Sequence, residues 1–175
     1  ENGFLTVENV LSASDVDNLR SVTDEFVEKS RAITINDAIY DLEPDHSADN
    51  PRLRRLKNPI EHHDIYNQIM RHDAILGIVE QLIGKGLRMN GNKLNLKLPS
   101  HSSAVEWHQD WAFYPHTNDD LLAVGVALDD MTEENGCMLM VPGSHKIDLI
   151  SHHENGVFVG AVTDPNFNPD TVSKV

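Results

Sequence analysis

The apolar residues of this chain change their repeat near Gly86, and that change limits the folds open to it. Before it, Val16, Leu19, Val22 and Phe26 recur at three- and four-residue steps, the period of a helix with one buried face. Ser12 and Asp15 form an S-x-x-D start signature ahead of them, so a helix is expected to about Arg31. Helical spacing returns from Asp64 to Ile83, with Asp73 as a cap for a second segment and Gly84 and Gly86 as the stop. After it, Leu94, Leu96 and Leu98 alternate with Lys93, Asn95 and Lys97, the period of a strand. Leu121 to Leu128 reads as a buried strand, Asn135-Gly136 as a hairpin turn, Cys137 to Val141 as the return strand and Val157 to Val162 as a further strand. Helices first and antiparallel strands second is an α+β order, mainly β, whose sheet is expected to curl into a barrel or sandwich. One domain is expected over residues 1–175, helical over residues 1–86 and sheet-forming over residues 87–175.

Residues 32–60 carry neither period. Pro44, Pro51 and Pro59 interrupt them, and a long loop with one short element is expected, a candidate lid over a site. Inside it, Arg52-Leu53-Arg54-Arg55-Leu56-Lys57 gathers four basic residues. They would either receive an anionic group or stand as a solvated loop. The rest of the chain is acidic: 28 Asp and Glu against 14 Lys and Arg give a formal charge of −14. Such a surface repels phosphate backbones and anionic lipid, which excludes a general nucleic-acid or membrane-surface partner. No signal peptide or membrane-crossing apolar run is visible, so a cytoplasmic location is expected. A single cysteine, Cys137, excludes an internal disulfide framework and a multi-cysteine zinc site, and reads as hairpin packing.

The chemistry concentrates in Trp107-His108-Gln109-Asp110-Trp111. On a strand, His108 and Asp110 would point to one face, where an imidazole nitrogen and a carboxylate oxygen can grip one cation. With a second histidine, such a pair makes the facial triad that leaves open positions on Fe(II). Taken alone, an H-x-D pair reads first as a solvated strand edge. The other histidines read as bland: His62, His63 and His72 as helix or loop surface, His46, His101 and His116 as loop residues, His145 as a turn residue, and His152 and His153 as a polar loop before Gly156.

The surrounding residues decide between these readings. Trp107-His108-Gln109-Asp110, Tyr114-Pro115, the apolar run from Leu121, Asn135-Gly136-Cys137 and Val141-Pro142-Gly143-Ser144-His145-Lys146 follow one another as in the phytanoyl-CoA dioxygenase family of Fe(II)/2-oxoglutarate oxygenases, which the chain resembles over nearly its whole length. The resemblance implies a double-stranded β-helix (jelly-roll) core with N-terminal helices. It implies His108 and Asp110 as iron ligands and dioxygen and 2-oxoglutarate as cosubstrates. The expected reaction is hydroxylation of a small-molecule substrate with release of succinate and CO2. By similarity, Lys93 and Arg55 (or Arg54) fall where family members contact 2-oxoglutarate, and Asn95 shares the polar face of Lys93. Trp111 and Phe113 are candidates for a substrate wall, with core packing as the other reading, and Trp107 is expected in the core. Related halogenases carry a small residue at the position of Asp110, so a carboxylate there implies hydroxylation. The family's third ligand, a histidine, and its arginine for the distal carboxylate are not in this chain. The chain is therefore expected to be roughly the first two-thirds of a larger domain, with C-terminal strands missing. The alternative is a non-catalytic jelly-roll binding module with an incomplete metal site, and a metal-dependent isomerase of the cupin type is a third reading.

Overall fold

The computed structural model describes residues 1–99, 103–169 and 172–175; the loop expected at His101 lies outside them. The chain divides into two units. One comprises residues 8–103 with 128–130, the other residues 1–7, 104–127 and 131–175.

The first unit is built on helix α1 (Ala13–Ser30), which starts where its sequence dictates. The Ser12 hydroxyl accepts from the Asp15 N–H and the Asp15 carboxylate accepts from the Ser12 N–H, closing a capping box. Leu19 and Phe26 on its inner face enter the core. Helices α2 (Asp64–Met70) and α3 (Asp73–Ile83) also follow the expectation, separated at Arg71 and His72, except that His72 is the N-cap of α3 and Asp73, expected as the cap, is its first helical residue. Helix α3 stops at Gly84, whose φ of 88° is open to glycine at little cost.

The loop expected at residues 32–60 is instead two strands, β1 (Tyr40–Leu42) and β2 (Leu53–Lys57), which pair antiparallel. A third strand, β3 (Lys93–Asn95), adds to β2 with Leu56 opposite Leu94. The reason the sequence hides β2 is a bulge. Asp41 faces Arg55 while the next residue, Leu42, faces Leu53, so β2 carries one extra residue at Arg54. The bulge turns Leu53 and Leu56, three apart, onto the same buried side, a spacing that does not read as period two. Both leucines are 0% exposed, and they pack with Tyr40, Tyr66, Ile69 and Ile75.

The basic cluster is thereby absorbed into the sheet. Arg52 is buried and its guanidinium donates to Asp45 Oδ1 at 2.8 Å, while its N–H donates to His46 Nδ1 at 2.8 Å. His46 in turn holds the Ser30 carbonyl through Nε2 at 3.1 Å, so this histidine ties the acidic loop to the end of α1.

The second unit is organised differently. Leu121 to Leu128, expected as a buried strand, forms none: Leu122, Val124 and Val126 are exposed, and among the described residues no strand pairs with the segment. An extended segment becomes a strand only when a neighbour takes its N–H and C=O groups. The hairpin expected at Asn135-Gly136 is likewise a local turn, in which the Cys137 N–H returns to the Thr132 carbonyl at 2.9 Å. Strand β4 (Leu139–Met140) pairs with β7 (Ser173–Lys174) rather than with 121–128. Strands β5 (His153–Glu154) and β6 (Val157–Phe158) make the two-residue hairpin, turning at Asn155 (φ 49°) and Gly156 (φ 79°). That is the two-residue geometry with positive φ at both positions, which Asn-Gly favours. The strand expected over Val157 to Val162 ends at Phe158; beyond it the Val159 N–H bonds to the His152 carbonyl at 2.9 Å and the Val162 N–H to the Trp107 carbonyl at 2.8 Å, without a continuing ladder. A close approach occupies the N-terminus: a Cβ at Gly3 would collide with the His145 ring, so the turn histidine seats against residue 3. The antiparallel sheets are small, and no closed barrel forms among the described residues. No helix among them is long and apolar enough to cross a membrane.

Candidate metal-binding site

His108 and Asp110 come together, by a route other than the one expected. The segment is not a strand. Gln109 is extended (φ −110°, ψ 125°), and a 3-10 turn follows over Asp110–Ala112. One extended residue suffices to set its two neighbours on the same side. His108 Nε2 lies 3.3 Å from Asp110 Oδ1, with both side chains partly exposed.

The hydrogen bonding of His108 sets its tautomer. Nδ1 lies 2.8 Å from the Glu106 carbonyl, which can only accept, so Nδ1 carries the proton. The Nε2 lone pair is then turned toward Asp110. An imidazole anchored through Nδ1–H and presenting Nε2 beside a carboxylate oxygen is a donor pair suited to a divalent transition metal. The residues present therefore fit two positions of an iron site. Among the described residues, no cluster of three or more His, Cys, Asp or Glu side chains is placed to hold a metal.

What holds this pair is a set of contacts that the sequence concealed. Gln109, the residue between His108 and Asp110, is bound at three atoms. Its N–H donates to His152 Nε2 at 2.9 Å, its Oε1 accepts from the Ile150 N–H at 2.8 Å, and its Nε2 reaches the Asp148 carbonyl at 3.3 Å. His152 is 1% exposed, so its expected place in a solvated polar loop is corrected. The usable signal was Asn155-Gly156: the turn there builds the β5–β6 hairpin directly after His152.

Phe113 packs its ring against His108 at 5.5 Å and against Phe158 at 5.0 Å, both edge-on. It is partly open to solvent. Trp111 is half-buried in the 3-10 turn, with its indole Nε1 buried and without a hydrogen-bond partner among the described residues. Trp107 stacks edge-on with Phe167 at 6.1 Å. Beside it lies a small cavity of about 80 Å³ lined by His108, Met140, Ile150 and Val162 among others.

The three expected cosubstrate residues belong to the three-stranded sheet. Lys93 and Asn95 stand exposed on β3, with their side chains away from the leucines that pack inward. Arg55 donates through Nε to Asn95 Oδ1 at 3.0 Å and lies 3.7 Å from Asp41. Arg55 and Asn95 are thus brought together as cross-strand neighbours.

A model of the phytanoyl-CoA dioxygenase family matches residues 1–158. The chain belongs to the phytanoyl-CoA dioxygenase family. Among curated relatives, it is 33% identical over 170 residues to a probable alpha-ketoglutarate-dependent hypophosphite dioxygenase of Stutzerimonas stutzeri, covering 96% of this chain and 59% of that protein. It is 29% identical to the L-proline trans-4-hydroxylase of Streptomyces griseoviridis, over 85% of this chain and 53% of that protein. It is 23% identical to the peroxisomal phytanoyl-CoA dioxygenase of Homo sapiens, over 87% and 47% respectively. The chain spans between about half and three-fifths of the length of these family members.

Proposed function

We propose that the protein is a non-heme Fe(II)- and 2-oxoglutarate-dependent dioxygenase that hydroxylates a small molecule, on a jelly-roll core to which this chain contributes. The observation that carries the reading is the convergence of His108 Nε2 and Asp110 Oδ1 in a chain of this family. The two would hold iron as neighbouring ligands. Iron(II) held there would supply the redox chemistry that couples consumption of dioxygen and 2-oxoglutarate to substrate oxidation, with release of succinate and CO2.

The chain's own residues do the rest by positioning. The Glu106 carbonyl keeps the His108 proton on Nδ1 and its lone pair on Nε2. The straps on Gln109 fix the peptide from which both ligands project. Phe113 offers an apolar ring beside His108 and is proposed to form a substrate wall with Trp111, where it would limit the access of water. Lys93, Arg55 and Asn95 are proposed to bind the cosubstrate, the cations meeting its carboxylate. The relatives named for hypophosphite and L-proline support a small polar substrate.

The test is anaerobic binding of Fe(II) and 2-oxoglutarate to the full-length protein, followed by succinate release over a panel of small acids and amino acids. Asp110→Ala should reduce turnover to background, and full activity in that variant would sink the assignment. Iron binding with no succinate release from any substrate would favour the non-catalytic module instead.

A further inference from the structure

We infer that His152 is a positioning residue for the His108–Asp110 pair, acting through the Gln109 peptide; the inference rests on the iron reading above. Among the described residues, His152 is the one fully buried side chain of its unit. A buried imidazole is costly unless both nitrogens are satisfied, and here both are satisfied by main chain. Nδ1 donates to the Ile150 carbonyl at 2.8 Å, and Nε2 accepts from the Gln109 N–H at 2.9 Å. The ring is therefore a rigid spacer between the 150–152 segment and the middle residue of the H-Q-D motif.

The position of that contact gives it leverage. Gln109 N belongs to the peptide that joins it to His108, and Gln109 Cα leads on to Asp110. Rotation of this one peptide moves both ligand side chains at once. The Gln109 side chain is anchored separately, to the Ile150 N–H and the Asp148 carbonyl, while the His152 contact falls on the peptide itself. Aromatic neighbours keep the His152 ring itself in place: Phe158 stacks on it at 6.4 Å with an interplanar angle of 19°, and Phe113 meets it edge-on at 6.5 Å. Phe113 also packs on His108, so the ring that supports the ligand and the ring that supports its peptide share one aromatic neighbour. Metal sites tolerate little displacement of their ligands, and loss of such an outer partner typically lowers metal affinity 10–100-fold.

Two variants of the full-length protein separate positioning from simple packing. His152→Leu fills much of the space and removes the acceptor. His152→Gln places an amide oxygen close to where Nε2 stands and keeps it. The first readout needs no metal: hydrogen exchange of the Gln109 amide should be slow in the wild type and in His152→Gln, and fast in His152→Leu. The second is Co(II) binding, followed by its visible absorption bands. His152→Leu should bind about 10–100-fold more weakly, with a cooperative thermal transition retained, and His152→Gln should stay within about threefold of wild type. Wild-type affinity in His152→Leu overturns the inference alone. If His152→Leu does not fold, His152→Gln decides: loss of Gln109 protection or a collapse of Co(II) affinity in it overturns the acceptor role. A wild-type protein that binds no Co(II) overturns the iron reading, and this inference with it.

Discussion

Leu56 lies in a basic stretch of sequence and Val124 in an apolar one, yet Leu56 is wholly buried while Val124 is 54% exposed. The contrast extends to the units that contain them. Every fully buried apolar side chain among the described residues belongs to the unit of residues 8–103 and 128–130. The other unit holds its described backbone with two-residue ladders, turns and polar anchors, of which His152 is the most buried. The two units therefore have different sources of order. In the first, apolar area removed from water stabilises helices and sheet together. In the second, the arrangement of His108 and Asp110 depends on individual hydrogen bonds, each worth about 1 kcal/mol net.

The largest effect that would break this comparison is in the core. Leu56→Ala should destabilise the chain by about 2–5 kcal/mol, because the cavity is bounded by two strands and cannot collapse freely. Denaturant unfolding checks it, and a loss under about 1 kcal/mol would show that the sheet does not carry the unit's stability. Next comes a buried polar contact inside the same core. The Thr23 hydroxyl donates to the Leu19 carbonyl at 2.7 Å, so its oxygen accepts from the Tyr66 hydroxyl at 2.9 Å. Tyr66→Phe removes that donor and should cost about 1 kcal/mol, read from the same unfolding curves. The same contact opposes burial, which pushes the Tyr66 phenol above its ordinary value, so the hydroxyl stays protonated across the physiological range.

How much of this was legible follows the same division. Helix α1 could be read from Ser12, Asp15 and the spacing of Leu19 and Phe26, because a capping box and a helical stripe are local properties. Strand β2 could not, because the bulge at Arg54 that buries both Leu53 and Leu56 is defined only by pairing with β1. His108 and Asp110 were legible as a pair because only the extended residue between them is needed to align them. His152 was not, since the contact that gives it meaning crosses 43 residues of chain. The run from Leu121 to Leu128 was misleading for a related reason: apolar composition predicts burial, but burial requires a partner surface.

A smaller effect tests whether a polar anchor matters less where a core already exists. Glu43 is 5% exposed in the core-bearing unit and accepts from both the N–H and the hydroxyl of Ser103, at 2.9 and 2.5 Å. Burial pushes its carboxyl up, but the Ser103 hydrogen bonds and the nearby Arg54 and Arg52 charges outweigh burial and hold it below its ordinary 4.5. A carboxyl depressed in the folded state binds protons less readily there than when unfolded. Its contribution is therefore present in full above pH 4.5 and is lost as the pH falls from there through the folded value. The stability difference between wild type and Glu43→Gln should favour wild type at neutral pH and shrink on acidification through that window. A difference that stays constant with pH would assign the contact to packing instead of charge.

The smallest expected effect is the sharpest check on the comparison itself. Val124→Ala in this chain should change unfolding free energy by no more than about 0.5 kcal/mol, the range of substitutions at exposed positions. The side chain is more than half open to solvent, so truncation removes little buried area and leaves no cavity. The prediction is specific to the 175 residues present, and the curated relatives are longer. Measuring Val124→Ala in this chain and again in the full-length protein turns one substitution into a probe of that surface. A loss near zero in the first and of about 1 kcal/mol or more in the second would show that the run from Leu121 to Leu128 is a core strand in want of its partner. Equal small losses in both would mean that its apolar side chains stay in solvent and that the unit keeps His108 and Asp110 in place by polar anchors alone.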